Sequence, residues 1–244
     1  MLAFSSGLHA ISILALGDSI TLGASATPSQ YAPGGYRDYL VKILNHYGHE
    51  VNMVGVVDLN PSAYLSQTSS ALHAGFGGYR VDQLDANLDG NVAPWPGNAG
   101  GYWLTGIPGL REAIYPDFIL LMAGTNDILQ NTDLNTITNR LNHMLGKLVN
   151  LRPDSHIIIA MIPPVFSDEQ ADRVRDINVT ISQLVDWYSG QGYKVSIVDN
   201  YHYFLDKGWG FQDAVHPSEW IYNVMGYSWS QAILNVMASN RALA

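Results

Sequence analysis

Two short stretches of this 244-residue chain hold residue types that together could transfer an acyl group. In ISILALGDSITLG, Ile11 to Gly23, an apolar run ends by delivering Gly17, Asp18 and Ser19. In FQDAVHPSEW, Phe211 to Trp220, Asp213 stands three residues before His216. A serine hydroxyl attacks an ester carbonyl only with a base in hydrogen-bond reach and donors for the developing oxyanion. At a spacing of three, a carboxylate can fold back onto the imidazole Nδ1 and fix its tautomer. Nε2 is then free to take the Ser19 proton. Each piece also has a plainer reading. Gly-Asp-Ser after a strand is a turn or a helix cap, and a histidine before proline fills loops. Gly124-Thr125-Asn126-Asp127 is turn composition, in which Asn126 could close an Asx turn.

These residues need a frame. Apolar runs rich in Ile and Val predict strands at Ile11–Leu16, Val51–Val57, Phe118–Ala123, His156–Ile162 and Lys194–Val198. All but the last are apolar on both parities, as expected of a sheet covered on both faces. Helical periodicity predicts helices at Tyr36–Tyr47, Leu134–Leu151, Glu169–Ser189 and Met225–Ala238. In the second, Leu134, Ile137, Leu141, Met144, Leu145 and Leu148 share one stripe. The alternation reads as βαβ units, a parallel sheet and one α/β domain over residues 1–244. Two segments break the rhythm and are read as irregular: Asn60–Ile107, rich in Gly, Pro, Asn and Ser, and the aromatic Tyr201–Tyr222. In open parallel sheets ligands bind beyond the carboxyl ends of the strands. Asp18-Ser19, Gly124–Asp127 and Pro163-Pro164 all fall at such ends.

Composition narrows the partners. The formal net charge is −9 and no Lys or Arg run occurs, so neither a nucleic-acid nor an anionic-membrane partner is expected. No apolar run reaches the roughly 18 residues that cross a bilayer. The chain has no cysteine, which excludes disulfides, thiolate metal sites and cysteine nucleophiles. Few charges, 14 Tyr, 6 Trp and 23 Gly, with one glycosylation sequon at Asn178-Val179-Thr180, favour a secreted or extracellular protein over a cytoplasmic one. The N-terminal MLAFSSGLHAISILALG lacks a basic region and is read as leading into the first strand rather than as a signal peptide.

GDSIT with Ser19, HAGFGGYRVDQL with Gly78, GTND with Asn126, and DAVHP with Asp213 and His216 occur in that order between Gly17 and Pro217. As a set they resemble the four sequence blocks of the SGNH (GDSL-type) hydrolases. The resemblance implies a three-layer α/β/α sandwich with a five-stranded parallel, flavodoxin-like sheet, acting on esters without metal or cofactor. Carried over by position, Ser19 would be the nucleophile, His216 the general base and Asp213 its orienter. The oxyanion hole would be the backbone N–H groups of Ser19 and Gly78 and the side-chain amide of Asn126. The wording is nearest to carbohydrate acetylesterases of the acetylxylan-esterase type, although Ala74, Phe76 and Gly77 stand where that branch favours Glu, His and Ser. The expectation is a serine esterase removing acetyl or other short acyl groups from a carbohydrate. The alternatives are a lipase, thioesterase or arylesterase of broad acyl tolerance and, from another class, a non-catalytic carbohydrate-binding protein.

Other residues invite roles. Trp95, Trp103, Trp209 and Trp220, with Tyr102 and Tyr222, lie in the irregular segments and could stack on sugar rings. They could equally close small cores under loops. Asp127 is expected to cap a helix or brace the loop of Asn126. Arg37 either anchors a helix through an ion pair or is solvated. His46 and His49 have metal-like spacing, but sit at a helix end with a Gly stop and no carboxylate set. His73, His143, His156 and His202 read as structural or surface residues.

Overall fold

The computed structural model describes residues 10–24, 32–90, 101–102, 104–109, 112–164, 168–205, 213 and 215–242. Strands form at β1 (Ile11–Gly17), β2 (Val51–Val54), β3 (Ala74–Gly75), β4 (Phe118–Met122), β5 (His156–Ala160) and β6 (Val195–Val198). Helices form at α1 (Ser19–Leu22), α2 (Tyr36–His46), α3 (Ala63–Thr68), α4 (Val81–Leu88), α5 (Thr125–Leu129), α6 (Leu134–Leu151), α7 (Asp168–Gly190), α8 (His202–Leu205) and α9 (Glu219–Ala242).

The strands pair in parallel in the order β2-β1-β4-β5-β6, with the two-residue β3 beside β1. Numbering only the five longer strands gives 2-1-3-4-5, the expected flavodoxin-like order; the sheet counts six strands because β3 joins it. The order reverses at β1, where connections turn from one face to the other. Accordingly α2 packs on α9, while α4, α6 and α7 follow one another as a second helical group. The core agrees with the apolar pattern: Phe118 to Met122 and Ile157 to Ala160 are buried throughout. Ile137, Leu141, Met144, Leu145 and Leu148 bury the predicted stripe of α6.

Several elements differ from expectation. β2 stops at Val54 because the chain turns to hand the Val56 and Val57 N–H groups to the His73 carbonyl, and Val57 bridges His73 antiparallel. The segment read as irregular after Asn60 contains α3 and α4. Helix α3 is capped by Ser62, whose hydroxyl accepts from Leu65 N–H. The C-terminal helix starts at Glu219 rather than Met225, because Ile221 and Tyr222 belong to the same buried face as Met225 and Trp229. Asn178, the first residue of the sequon, has a structural part. Asn178 is 3 % exposed, and its amide takes the Ile162 N–H and donates to the Ile162 carbonyl. This side chain ties α7 to the exit of β5 before Pro163.

Candidate active site

Ser19 reaches the surface because β1 ends at Gly17, two residues before it, and α1 begins on it. Asp18 is the N-cap, its Oδ1 accepting from Ile20 N–H at 3.0 Å. Gly17 allows the turn: a Cβ there would stand 2.3 Å from the Met122 carbonyl oxygen and 2.4 Å from Thr21 Oγ1. The hydroxyl of Ser19 lies 2.9 Å from His216 Nε2, across 197 residues of chain. His216 Nδ1 lies 2.7 Å from Asp213 Oδ2. Asp213 Oδ1 accepts from the Val215 and His216 N–H groups, so the same carboxylate folds the turn and faces the ring. Burial acts to raise the Asp213 pKa. The bonds from the His216 ring and backbone outweigh it and hold the carboxylate below its ordinary range.

Gly78 follows Phe76 and Gly77 on the loop leaving β3, with φ of +77°, a conformation that favours glycine, and among the described residues no atom lies within 4 Å of a Cβ placed on it. Asn126, 8 % exposed, opens α5 after β4. Its Nδ2 donates to the Tyr79 carbonyl at 3.1 Å, and the second amide hydrogen has no acceptor among the described residues. The N–H groups of Ser19 and Gly78 likewise meet no acceptor among the described residues. Backbone donors at an exposed loop and a helix start, a neutral amide and a hydroxyl paired to an imidazole can together polarise a carbonyl and attack it.

Several bracing residues complete the arrangement. Asp127, fully buried, accepts from Val81 N–H at 2.9 Å and stands 3.2 Å from Arg140, which joins α5, α4 and α6 as the expected brace. Gln130 was not foreseen. Its Nε2 donates to the Gly78 carbonyl at 2.9 Å, and its Oε1 accepts from Arg80. Its spacing of four from Asn126, one helical turn on at the C-cap of α5, was the available signal. Arg37 is neither solvated nor in an ion pair among the described residues. It is fully buried and donates to the carbonyls of Thr21, Leu22 and Ala71. Desolvation lowers its pKa to about 10. It thereby closes the C-terminal end of α1, the helix that carries Ser19. His73 is buried, its Nδ1 accepting from Gly75 N–H and its Nε2 facing the Leu59 carbonyl. Burial and then Arg37 hold its pKa well below the ordinary imidazole value. Asp18 is fully buried, its Oδ2 without a hydrogen-bond partner among the described residues; desolvation raises its pKa to about 6.

Trp95, Trp103 and Trp209 lie outside the described residues. Trp220 is 49 % exposed in the first turn of α9, four residues after His216. Tyr222 is buried instead, its hydroxyl donating to the Ala24 carbonyl. Pro163 and Pro164 close the end of β5 and bring no reactive group. Among the described residues no set of three or more His, Asp or Glu could hold a metal ion. Among them, too, no helix is long and apolar enough to cross a membrane.

Residues 15–224 match the model of the GDSL-like lipase/acylhydrolase family. Among solved structures, the chain is similar to a family 3 carbohydrate esterase of Clostridium thermocellum, with a TM-score of 0.70 and 23 % identity over 97 % of this chain and 100 % of that one. It is similar to a carbohydrate esterase family 3 structure from Talaromyces cellulolyticus, with a TM-score of 0.68 and 21 % identity over 94 % and 99 % of the two chains. An acetyl xylan esterase, AlAXEase, superposes with a TM-score of 0.61 at 17 % identity over 91 % of this chain and all of the other. At these identities the likeness is one of fold. No curated protein matches the chain in sequence.

Proposed function

Because this chain belongs to the GDSL-like lipase/acylhydrolase family and is a carboxylic ester hydrolase, we propose that it works as a serine esterase with Ser19 as nucleophile, His216 as base and Asp213 as orienter. The observation that carries this reading is the 2.9 Å contact from Ser19 Oγ to His216 Nε2, continued at 2.7 Å from Nδ1 to Asp213. In the first half-reaction Ser19 Oγ bonds to the ester carbonyl carbon while its proton passes to Nε2. Asp213 holds the imidazolium so formed. The oxyanion is met by the N–H groups of Ser19 and Gly78 and by the free hydrogen of the Asn126 amide. Collapse expels the alcohol, which takes the proton back from His216 and leaves an acyl-enzyme. Water, deprotonated by the same imidazole, then releases the acid.

The acyl group in this proposal is acetyl or another short chain, and the alcohol is a carbohydrate hydroxyl. Support comes from the family 3 carbohydrate esterases and the acetyl xylan esterase that share the fold. Exposed Trp220 beside the His216 turn supplies a surface on which a sugar ring could lie. The test is acetate release from acetylated xylan, other acetylated glycans and a series of aryl esters of increasing acyl length, with Ser19→Ala as control. A sharp maximum at the acetyl ester, with release from a glycan abolished in Ser19→Ala, is expected. An optimum at long acyl chains would replace the carbohydrate reading with a lipase-like one, and undiminished hydrolysis by Ser19→Ala would remove the proposed nucleophile.

A further inference from the structure

On the outer surface between α6 and α7 a groove of about 300 Å³ is lined by Thr138 and Asn142 from one helix and Thr180, Gln183, Leu184 and Trp187 from the other. Trp187 is 56 % exposed in the last turn of α7. Its ring is nonetheless held. It stands edge-to-face on Tyr188, with centroids 4.8 Å apart and planes at 84°. Tyr188 is itself buried, and its hydroxyl donates to the backbone carbonyl and side-chain Oδ1 of Asn142 on α6. That bond fixes the Asn142 carbonyl oxygen and leaves its NH₂ without an acceptor among the described residues. The Gln183 amide makes no hydrogen bond among them. At the far end the hydroxyls of Thr138 and Thr180 face each other at 3.4 Å.

The chemistry of this lining selects its occupant. Among the described residues no ionisable side chain lines the groove, although the chain carries a net charge of −9. A phosphate, carboxylate or ammonium group would find no counter-charge there. A flat aromatic surface flanked by neutral amides and hydroxyls matches an uncharged ring bearing many hydroxyls. Thr180, Leu184 and Trp187 follow one another at helical spacing over about 10 Å, so the site is elongated. It is also remote. Helix α7 leaves the carboxyl end of β5 and returns toward the start of β6, and Trp187 lies about 28 Å along it, far down from the strand ends that hold Ser19.

We infer that this groove is a second carbohydrate site, which holds a neutral polysaccharide away from the catalytic centre and keeps the enzyme on its polymer. The choice of a glycan rests in part on the proposed function, but binding and hydrolysis are read separately. The experiment measures the mobility of the full chain in native gels containing deacetylated xylan, mannan or hydroxyethyl cellulose, beside its hydrolysis of an aryl acetate. At least one polysaccharide should retard the wild type. Trp187→Ala should weaken that retardation at least fivefold with aryl acetate hydrolysis unchanged, and Trp187→Phe should keep most of it. Gln183→Ala, an exposed polar change, reads the same groove should Trp187→Ala fold poorly, and is expected to weaken retardation as well. Absence of retardation on all three polymers, or equal retardation of the groove variants, would overturn the inference. So would sedimentation showing that the wild type self-associates and Trp187→Ala does not, since the face would then join two copies of the chain. Retardation lost in Trp187→Ala while no acetyl glycan is hydrolysed would leave this site standing and remove the proposed substrate.

Discussion

Asp199 and His202 repeat the local geometry of Asp213 and His216. His202 Nδ1 lies 2.8 Å from Asp199 Oδ2, and Asp199 Oδ1 accepts from the Tyr201 and His202 N–H groups. The spacing alone therefore builds the dyad wherever it occurs; what separates the two is that Ser19 faces only one of them. His216→Gln is expected to lower kcat by on the order of 10⁴ or more, while His202→Gln should stay within about twofold, measured on the same aryl ester. Asn126→Ala, which removes one proposed oxyanion donor, should cost roughly 10² to 10³ in kcat with little change in KM. Residues with distinctive chemistry were readable at this scale, because a Ser at a strand end and an Asp-x-x-His turn have few other reasons to occur together. Gln130 and Arg37 were not. Their partners are main-chain carbonyls of distant segments, and no residue type in the sequence marks an acceptor that every residue carries.

Two of the proposed oxyanion donors, the Gly78 N–H and the Asn126 amide, sit on separate elements that the fold must keep in register. The loop holding Gly78 and the start of α5 are clasped by Asn126 on the Tyr79 carbonyl, Gln130 on the Gly78 carbonyl and Asp127 on the Val81 N–H. Gln130→Met deletes one clasp without adding a charge. It should lower kcat about tenfold, from a displaced Gly78 N–H, with a melting temperature within a few degrees of wild type. An unchanged kcat would show that two clasps suffice. The long strands and α2, α6 and α7 were legible because burial on one stripe or two faces leaves a periodic trace. The two-residue β3 and the one-turn α1 and α8 were not, since elements shorter than one period leave none. α9 was foreshortened for another reason: its first turn is aromatic, and aromatics mark loops and buried helix faces equally.

Across the molecule, two kinds of buried titrating group pull stability in opposite directions. Asp18 keeps its proton up to about 6 in the fold, against an ordinary 3.8. Its contribution is therefore full at low pH and is lost as pH rises through that window, by roughly 3 kcal/mol. His73 and His156 have lowered pKa values, the latter to about 4, because burial disfavours the imidazolium. Their contribution is full above about 6.5 and is lost as pH falls toward 4. The two slopes oppose each other over the same range. Asp18→Asn, which keeps the cap on Ile20, should be more stable than wild type at pH 7 and should lose more of its stability on acidification to pH 4.5. Urea unfolding at the two pH values measures both, and parallel losses in the two proteins would show that Asp18 is already ionised in the fold.

The bond between residues 19 and 216 also orders events in time. The two groups stand 197 residues apart in the chain, so no short segment holds both. On the proposed mechanism hydrolysis therefore waits until the segment around β1 and the turn before α9 have come together, and acid release becomes a readout of that assembly.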